Sequence, residues 1–372
     1  MRHAAKVQAA LRRCQWAGPM CPATFRHRLY CAVPSRYSLL HAWRRRAGEL
    51  LLASTVVVMP RVSEAQAPLD LPGYMPINPL ATSRSALGFE PYHPADSRRW
   101  HTAMTLDYAN MIESESRPSA AAGVLVDAEV MRLGATVRRD VDARTFLLGE
   151  VTAGGAYAGF LDGFLDWYHG LLGITLPERE ARPRNEFAYR MALPDGRFIQ
   201  RDRSSFFLGD ARIGVGRRFG RGRRAKAQSV LALSLPTSTA PAGYGRGTIS
   251  ASLLNTVRVP LSRALWLEGS LNGGLTPRHG DLSEYQRILF VSASSGLRFR
   301  FWGRQSLYAN LFYHSPYYHD TALPAMDRRE LSLDFGWILA TRSGREWKIG
   351  MTEDMEPKGP AVDIVFRFSV AR

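Results

Sequence analysis

Residues 265–275 read Leu-Trp-Leu-Glu-Gly-Ser-Leu-Asn-Gly-Gly-Leu, and their order decides the fold. Leu265, Leu267, Leu271 and Leu275 share one side with Gly269 and Gly273, while Glu268, Ser270 and Asn272 fall on the other. Successive strand side chains point to opposite faces, so this segment makes a ribbon with one apolar and one polar side. The same alternation recurs along the chain. Ile249, Ala251, Leu253, Val257 and Val259 alternate with Ser250, Ser252, Thr256 and Arg258. Leu331, Leu333, Phe335, Trp337 and Leu339 alternate with Ser332, Asp334 and Gly336. Val362, Ile364, Phe366, Phe368 and Val370 alternate with Asp363, Arg367 and Ser369.

Strands of about nine to twelve residues fit a tilted crossing of a bilayer. The connections also alternate in length. Gly303-Arg304-Gln305 and Arg342-Ser343-Gly344-Arg345 are tight, whereas 237–247, 276–285 and 315–328 are long. Short periplasmic turns and longer outer loops characterise outer-membrane barrels. Closure matters because an open sheet edge in lipid leaves backbone N–H and C=O groups unpaired. The expected fold is therefore all-β: a transmembrane antiparallel β-barrel over residues 100–370. Strands are read at 100–111, 124–138, 144–155, 208–219, 228–236, 248–259, 264–275, 286–301, 306–314, 329–341, 345–352 and 361–370. That gives about twelve strands, an even number as single-chain barrels require. A further hairpin, 185–193 and 197–202, turns at Pro194-Asp195-Gly196 and would make the number about fourteen. Either count leaves residues 156–184 outside the cell. Trp100, Trp302 and Trp347 lie near expected strand ends, where aromatic rings favour the membrane–water interface.

The N-terminal part has a different character. Residues 1–67 hold 11 Lys and Arg against 2 Asp and Glu, leaving 38 against 31 in the rest of the chain. Much of the +16 formal charge thus sits upstream of the strands, which argues against reading it as a nucleic-acid surface. Arg44, Arg45 and Arg46 precede an apolar run from Leu50 to Met59, and Ala65-Gln66-Ala67 supplies a small-x-small pattern. This is the construction of a secretory signal peptide over 43–67, with cleavage expected after Ala67. Residues 1–42 carry scattered arginines and no steady period, and read as an extension upstream of the true start. Residues 68–99 read as an N-terminal periplasmic segment. Cys14, Cys21 and Cys31 are all upstream of the cut, and a cysteine-free mature chain suits an oxidising compartment. The basic stretch 217–226 falls at a periplasmic turn and is expected to be solvated there.

One segment breaks the period of two. In residues 159–173, Phe160, Leu161, Phe164, Leu165, Tyr168 and Leu172 recur at helical spacing. Asp162, Asp166 and His169 share the other face and form a candidate pore-mouth group. A short extracellular helix is expected, its apolar face on the barrel rim and its acidic face toward solvent or the pore. This glycine-rich segment resembles one in a proteobacterial family of outer-membrane barrels, domain of unknown function 3187. Asp107-Tyr108-Ala109-Asn110, Gly209-Asp210 and Leu235-Pro236-Thr237 resemble that family too, over roughly 75–370. The resemblance implies the barrel and its location in the outer membrane, and it carries no activity.

The polar strand faces give a candidate lumen of Asp107, Asp210, Arg212, Arg258, Glu268, Asp334, Lys348, Asp363 and Arg367. Mixed charge of this kind can line a water-filled passage or form cross-lumen ion pairs that close it. The first functional reading is passive passage or binding of a small solute. The alternatives are a barrel enzyme acting on lipid or lipopolysaccharide, and a structural or surface-interaction barrel. No catalytic or cofactor residues are assigned, since neither a Gly-x-Ser-x-Gly elbow nor a phosphate-cradling loop is present. No metal site is assigned to Asp162, Asp166 and His169, since a closed site normally needs a fourth ligand. Outer-membrane lipids, lipopolysaccharide and the barrel assembly machinery are the expected partners, and nucleic acid is not among them.

Overall fold

The structure, a computed structural model, describes residues 73–372 apart from 96–99, 174–178, 180–181, 202–203, 221–224, 242–243, 357–358 and 361. The upstream extension and the export segment lie outside the described residues.

Fifteen strands follow in chain order: β1 (Trp100–Arg117), β2 (Ala122–Asp140), β3 (Thr145–Tyr157), β4 (Ala188–Ala192), β5 (Phe198–Arg201), β6 (Ser205–Leu208), β7 (Ala211–Phe219), β8 (Lys226–Leu235), β9 (Ser250–Pro260), β10 (Leu265–Leu275), β11 (Leu289–Trp302), β12 (Gln305–His314), β13 (Glu330–Ala340), β14 (Glu346–Asp354) and β15 (Ile364–Ala371). Neighbours pair antiparallel, and β15 returns to β1 in the register Ala103↔Ala371 to Asn110↔Ile364, which closes the ring. β6 and β7 act as one interrupted strand along β3, broken at Gly209-Asp210. The circuit is therefore a closed barrel of twelve strands. The hairpin that would have raised the count is real, but it joins the barrel only through β4, which pairs with the upper end of β2, Gly123 to Asp127. β1 and β2 run past the barrel rim, and this hairpin extends their projecting end.

Alternation now has a physical meaning. On β10, Leu271 is 64% exposed while Glu268 and Asn272 are buried. Leu106, Leu133, Leu231, Leu253, Val291, Leu311 and Phe368 repeat the outward apolar pattern round the circumference. Trp100 and Trp302, both largely exposed, mark the end with the tight turns. An exposed apolar belt of this extent on a closed barrel is stable in lipid and not in water. Among the described residues no helix is long and apolar enough to cross a membrane, so the crossing is made with strands. This is a β-barrel of the bacterial outer membrane.

A first prediction follows from the register. Leu271→Arg should cost about 2–4 kcal/mol, because the guanidinium would sit in the bilayer near mid-height of β10. Ser369→Arg points inward, where a cavity receives it, and should cost much less. A lipid refolding titration of both variants checks the assignment, and equal costs would contradict it.

Candidate functional site

The lumen is not empty. Residues 73–95, expected as a periplasmic segment, lie inside the barrel and form a plug. The chain rises from Gly73 and makes one helical turn, α1 (Pro79–Thr82), capped by the Asn78 side chain accepting from Leu80 N at 2.8 Å. It then turns through Ser83 and Arg84 and descends to Ala95. The two arms touch where Tyr74 and Phe89 exchange backbone hydrogen bonds of 3.0 and 2.7 Å. Gly88 permits that approach: a β-carbon there would overlap the Tyr74 carbonyl and the Met75 sulfur.

The sequence explains why the plug is no strand. Pro76, Pro79, Pro91 and Pro94 have no N–H to give a ladder. Its buried carbonyls need donors, and the wall supplies them from side chains. On the descending arm, Asn272 donates to the Gly88 carbonyl at 2.9 Å, Thr256 to Glu90 at 2.6 Å and Gln228 to Pro91 at 2.7 Å. Arg258 donates to the Tyr92 carbonyl at 2.8 Å and Arg218 to His93 at 2.6 Å. On the rising arm, Arg132 reaches the Met75 and Pro76 carbonyls, each at 3.0 Å. At the top, Arg246 donates to Thr82 and Ser85, at 3.3 and 3.0 Å.

Eight of the nine candidate lumen residues face this interior. Asp107, wholly buried, lies between Arg132 at 2.5 Å and Arg367 at 2.6 Å, and Arg367 also reaches Asp334 at 3.3 Å. Arg258 pairs with Glu268 at 2.6 Å, Asp210 with Arg246 at 3.0 Å, and Lys348 approaches Glu346 at 3.7 Å. Arg212 joins wall to plug, reaching Glu150 at 2.7 Å and Glu90 at 2.9 Å. Burial alone would raise the Glu90 carboxyl, but Arg212 and His93 outweigh it and hold it at about 2. Asp363 is the exception. It precedes β15 and pairs with Arg179 at 3.2 Å on the outer side of the barrel, because the strand alternation does not extend to it.

Below the plug, a cavity of about 600 Å³ lies at the periplasmic end, lined by His101, Arg138, Arg304, Glu346, Lys348 and Arg372 among others. A gap of about 100 Å³ separates the rising arm from β3 and β7. Above, the tip of the plug (Ile77, Leu80 and Ala81) enters an apolar cluster with Tyr189, Tyr244 and Tyr318. The β4–β5 hairpin spans the mouth: Arg197 in its turn reaches Glu284 at 2.9 Å and the Asp281 carbonyl at 2.6 Å, in the loop between β10 and β11. A Ser–His hydrogen bond is present, Ser85 Oγ to His314 Nε2 at 2.7 Å, but both residues are buried between plug and wall. It ties the tip of the plug to β12.

The three candidate pore-mouth residues are elsewhere. They lie on or at the start of helix α2 (Asp162–Leu172), which packs against the outer wall over β1, β2 and β15. Asp162 is buried. It accepts from Arg179 at 2.6 Å, from Asn110 at 2.9 Å and from Asn185 N at 2.7 Å. Asp166 pairs with Arg184 at 2.6 Å. His169 is half-buried, and that burial, reinforced by Arg179, lowers its pKa and favours the neutral ring. The expectation was that all three would look toward solvent or the pore; Asp162 turns to the wall instead, while Asp166 and His169 are only partly covered. Outward-facing wall residues explain the turn of Asp162. Glu129 is fully buried beneath the helix start, accepting from Tyr108, Leu161 N and, at 2.5 Å, Phe160 N. Asp127 pairs with Arg182 nearby. Asp162 and the amides of Phe160 and Leu161 satisfy polar groups of the wall, whereas Asp166 stays with Arg184 at the surface.

The plug, its wall arginines and the helix contacts escaped sequence reasoning. Arg132 shares the strand parity of Arg138 on β2 and was legible as lumen-facing; the plug offered no period at all. Among known proteins, residues 75–371 match the family described as "Protein of unknown function (DUF3187)". No curated protein matches the chain. The chain is similar to the COG4313 outer membrane channel from Pseudomonas putida F1, at 10% identity and a TM-score of 0.48, over 75% of this chain and 97% of that one. It is similar to the NanC porin at 6% identity and a TM-score of 0.42, over 73% and 98% of the two chains. It is similar to the Pseudomonas putida toluene transporter TodX at 11% identity and a TM-score of 0.38, over 81% and 97%. The fold and its setting rest on the chain's own strand ladder and apolar belt.

Proposed function

This chain belongs to the DUF3187 family, and we propose that it serves as a plugged channel of the outer membrane, passing a small polar solute when residues 73–95 shift aside. The observation that carries the reading is how the plug is held. The wall grips its carbonyls with asparagine, glutamine, threonine and arginine side chains, and those bonds exchange readily for bonds to water. The neutral side chains contribute about 0.5–1.5 kcal/mol net per bond and the arginines about 1.5–3, so the plug can leave without dismantling the β-ladder. Behind it stands a wall of alternating charge: Arg132, Asp107, Arg367, Asp334, Arg258 and Glu268. The periplasmic cavity of about 600 Å³ is large enough to receive a small solute. Outer-membrane lipids and lipopolysaccharide would surround the barrel, and the barrel assembly machinery would insert it.

Planar-bilayer recording tests this. The intact protein should show small or rare conductance steps, and a variant lacking residues 73–95 should show large, steady ones. Arg132→Ala with Arg246→Ala, which keeps the plug but removes much of its grip, should give intermediate, flickering steps. If the plug-free protein keeps the heat-modifiable gel migration of a folded barrel yet conducts no ions, the channel reading fails and a structural barrel takes its place.

A further inference from the structure

Helix α2 leaves an apolar face uncovered. Phe160, just before it, is 70% exposed, Trp167 is 61% and Leu171 is 70%. Phe164 is also exposed on its outward side, while its ring meets Phe366 of the wall at 6.0 Å. These four residues recur at spacings of four, three and four, which places them on one side of a helix. The opposite side holds the buried Asp162 and Leu165. A helix lying in water would turn the other way, with its polar residues out.

The height of the helix identifies what covers that face. On β1 the outward residues run from Trp100, in the periplasmic aromatic ring, through Met104 and Leu106 to Tyr108 and Asn110, where α2 begins to cover the wall. Ten residues of a strand tilted by about 40° rise about 25 Å, the height of a barrel's apolar band. The helix therefore lies at the outer edge of that band, and its apolar face continues the belt of the barrel wall. Phe206 of β6, 70% exposed and adjoining Tyr157 at 5.7 Å between centroids, extends the same surface sideways.

We propose that α2 is an interfacial helix whose outward face, Phe160, Phe164, Trp167 and Leu171, is immersed among the acyl chains of the outer leaflet. Its inward face seals Glu129, Asn110 and Asp127 away from those chains. It thus gives the barrel a lipid-facing surface where the strand wall itself is polar, and amphipathic helices are known to lie in such interfaces. Because its last cysteine is Cys31, the chain is well suited to single-site labelling.

The test uses the full chain with Cys14, Cys21 and Cys31 changed to serine, reconstituted in vesicles. Nitroxides are placed singly by Phe164→Cys, Trp167→Cys and Leu171→Cys. Leu271→Cys on the belt is the lipid reference, and Ser343→Cys in a periplasmic turn is the water reference. Collision with dissolved oxygen and with a water-soluble nickel chelate is then measured. The three helix positions should behave like 271, with oxygen favoured over nickel and the ratio inverted relative to 343. Ratios resembling 343 would overturn the proposal. So would labels that neither reagent reaches and that broaden with protein density, since a second copy would then cover the face. Three positions keep the result decisive if one variant fails to fold.

Discussion

Asp107→Ala is expected to cost the barrel about 3–5 kcal/mol, far more than a surface ion pair is worth. The carboxylate is wholly buried and serves both Arg132 and Arg367. Removing it leaves two guanidinium groups facing each other across the lumen wall with no counter-charge between them. Arg367 retains its 3.3 Å approach to Asp334 and its place over the Tyr74 ring at 5.1 Å, and Arg132 retains the Met75 and Pro76 carbonyls. The damage should reach the plug, because repulsion from Arg367 displaces the arginine that grips its rising arm. Urea titration of the reconstituted protein gives the cost, and protease sensitivity of residues 73–95 reports the loosening. A cost below about 1 kcal/mol, the figure for solvated pairs, would mean that water already screens this site and that the plug does not seal it.

The second large effect contrasts two glycines four residues apart. Gly159 has φ of +72°, and a β-carbon there would overlap the Glu129 carboxylate. Gly159→Ala should therefore cost about 1–3 kcal/mol from the backbone conformation and overlap alone. It should also push the start of α2 off the wall, removing the amide donors of Phe160 and Leu161 from Glu129 and uncovering a carboxylate beside lipid. Gly163, within the helix, has nothing near its missing β-carbon. Gly163→Ala should be neutral or slightly stabilising, because alanine is the better helix former. Refolding titrations and amide exchange over residues 160–172 distinguish the two. If both variants match the parent, the helix is not held to Glu129 as described.

The strands were legible because their environment is periodic. Water-filled or plug-filled lumen on one side and lipid on the other impose strict alternation, so residues 264–275 were read nearly as Leu265–Leu275 is found. The ends of β1 and β2 were read short because that contrast fades above the rim, at Glu113, Ser114, Glu115 and Ser116. Parity puts Asp107, Arg258 and Arg367 on the inner face, where they lie, and it does not reach Asp363, where the chain has not yet entered its strand. The plug was illegible for a related reason. Its side chains meet a different wall strand every residue or two, so no repeat in the sequence records them. The orientation of α2 was misread because Asp162 looked like a solvated carboxylate. Its partners Arg179 and Asn110 stand 17 and 52 residues away, and nothing local announces them.

The position of residues 73–95 also constrains how this molecule can be made. The segment precedes every barrel strand in the chain, yet its contacts reach almost to the other end. Ser85 meets His314 across 229 residues, Tyr74 meets Glu330 across 256, and Asn78 meets Pro360 across 282. Contacts so distant in sequence form late and slow the folding of the whole. A segment synthesised before every strand thus completes its contacts only at the end, and it must be present before the β15–β1 seam shuts or be threaded in afterwards. If it is present, it works as a mandrel: twelve strands wound about a core that holds their polar faces in register until the two edges meet.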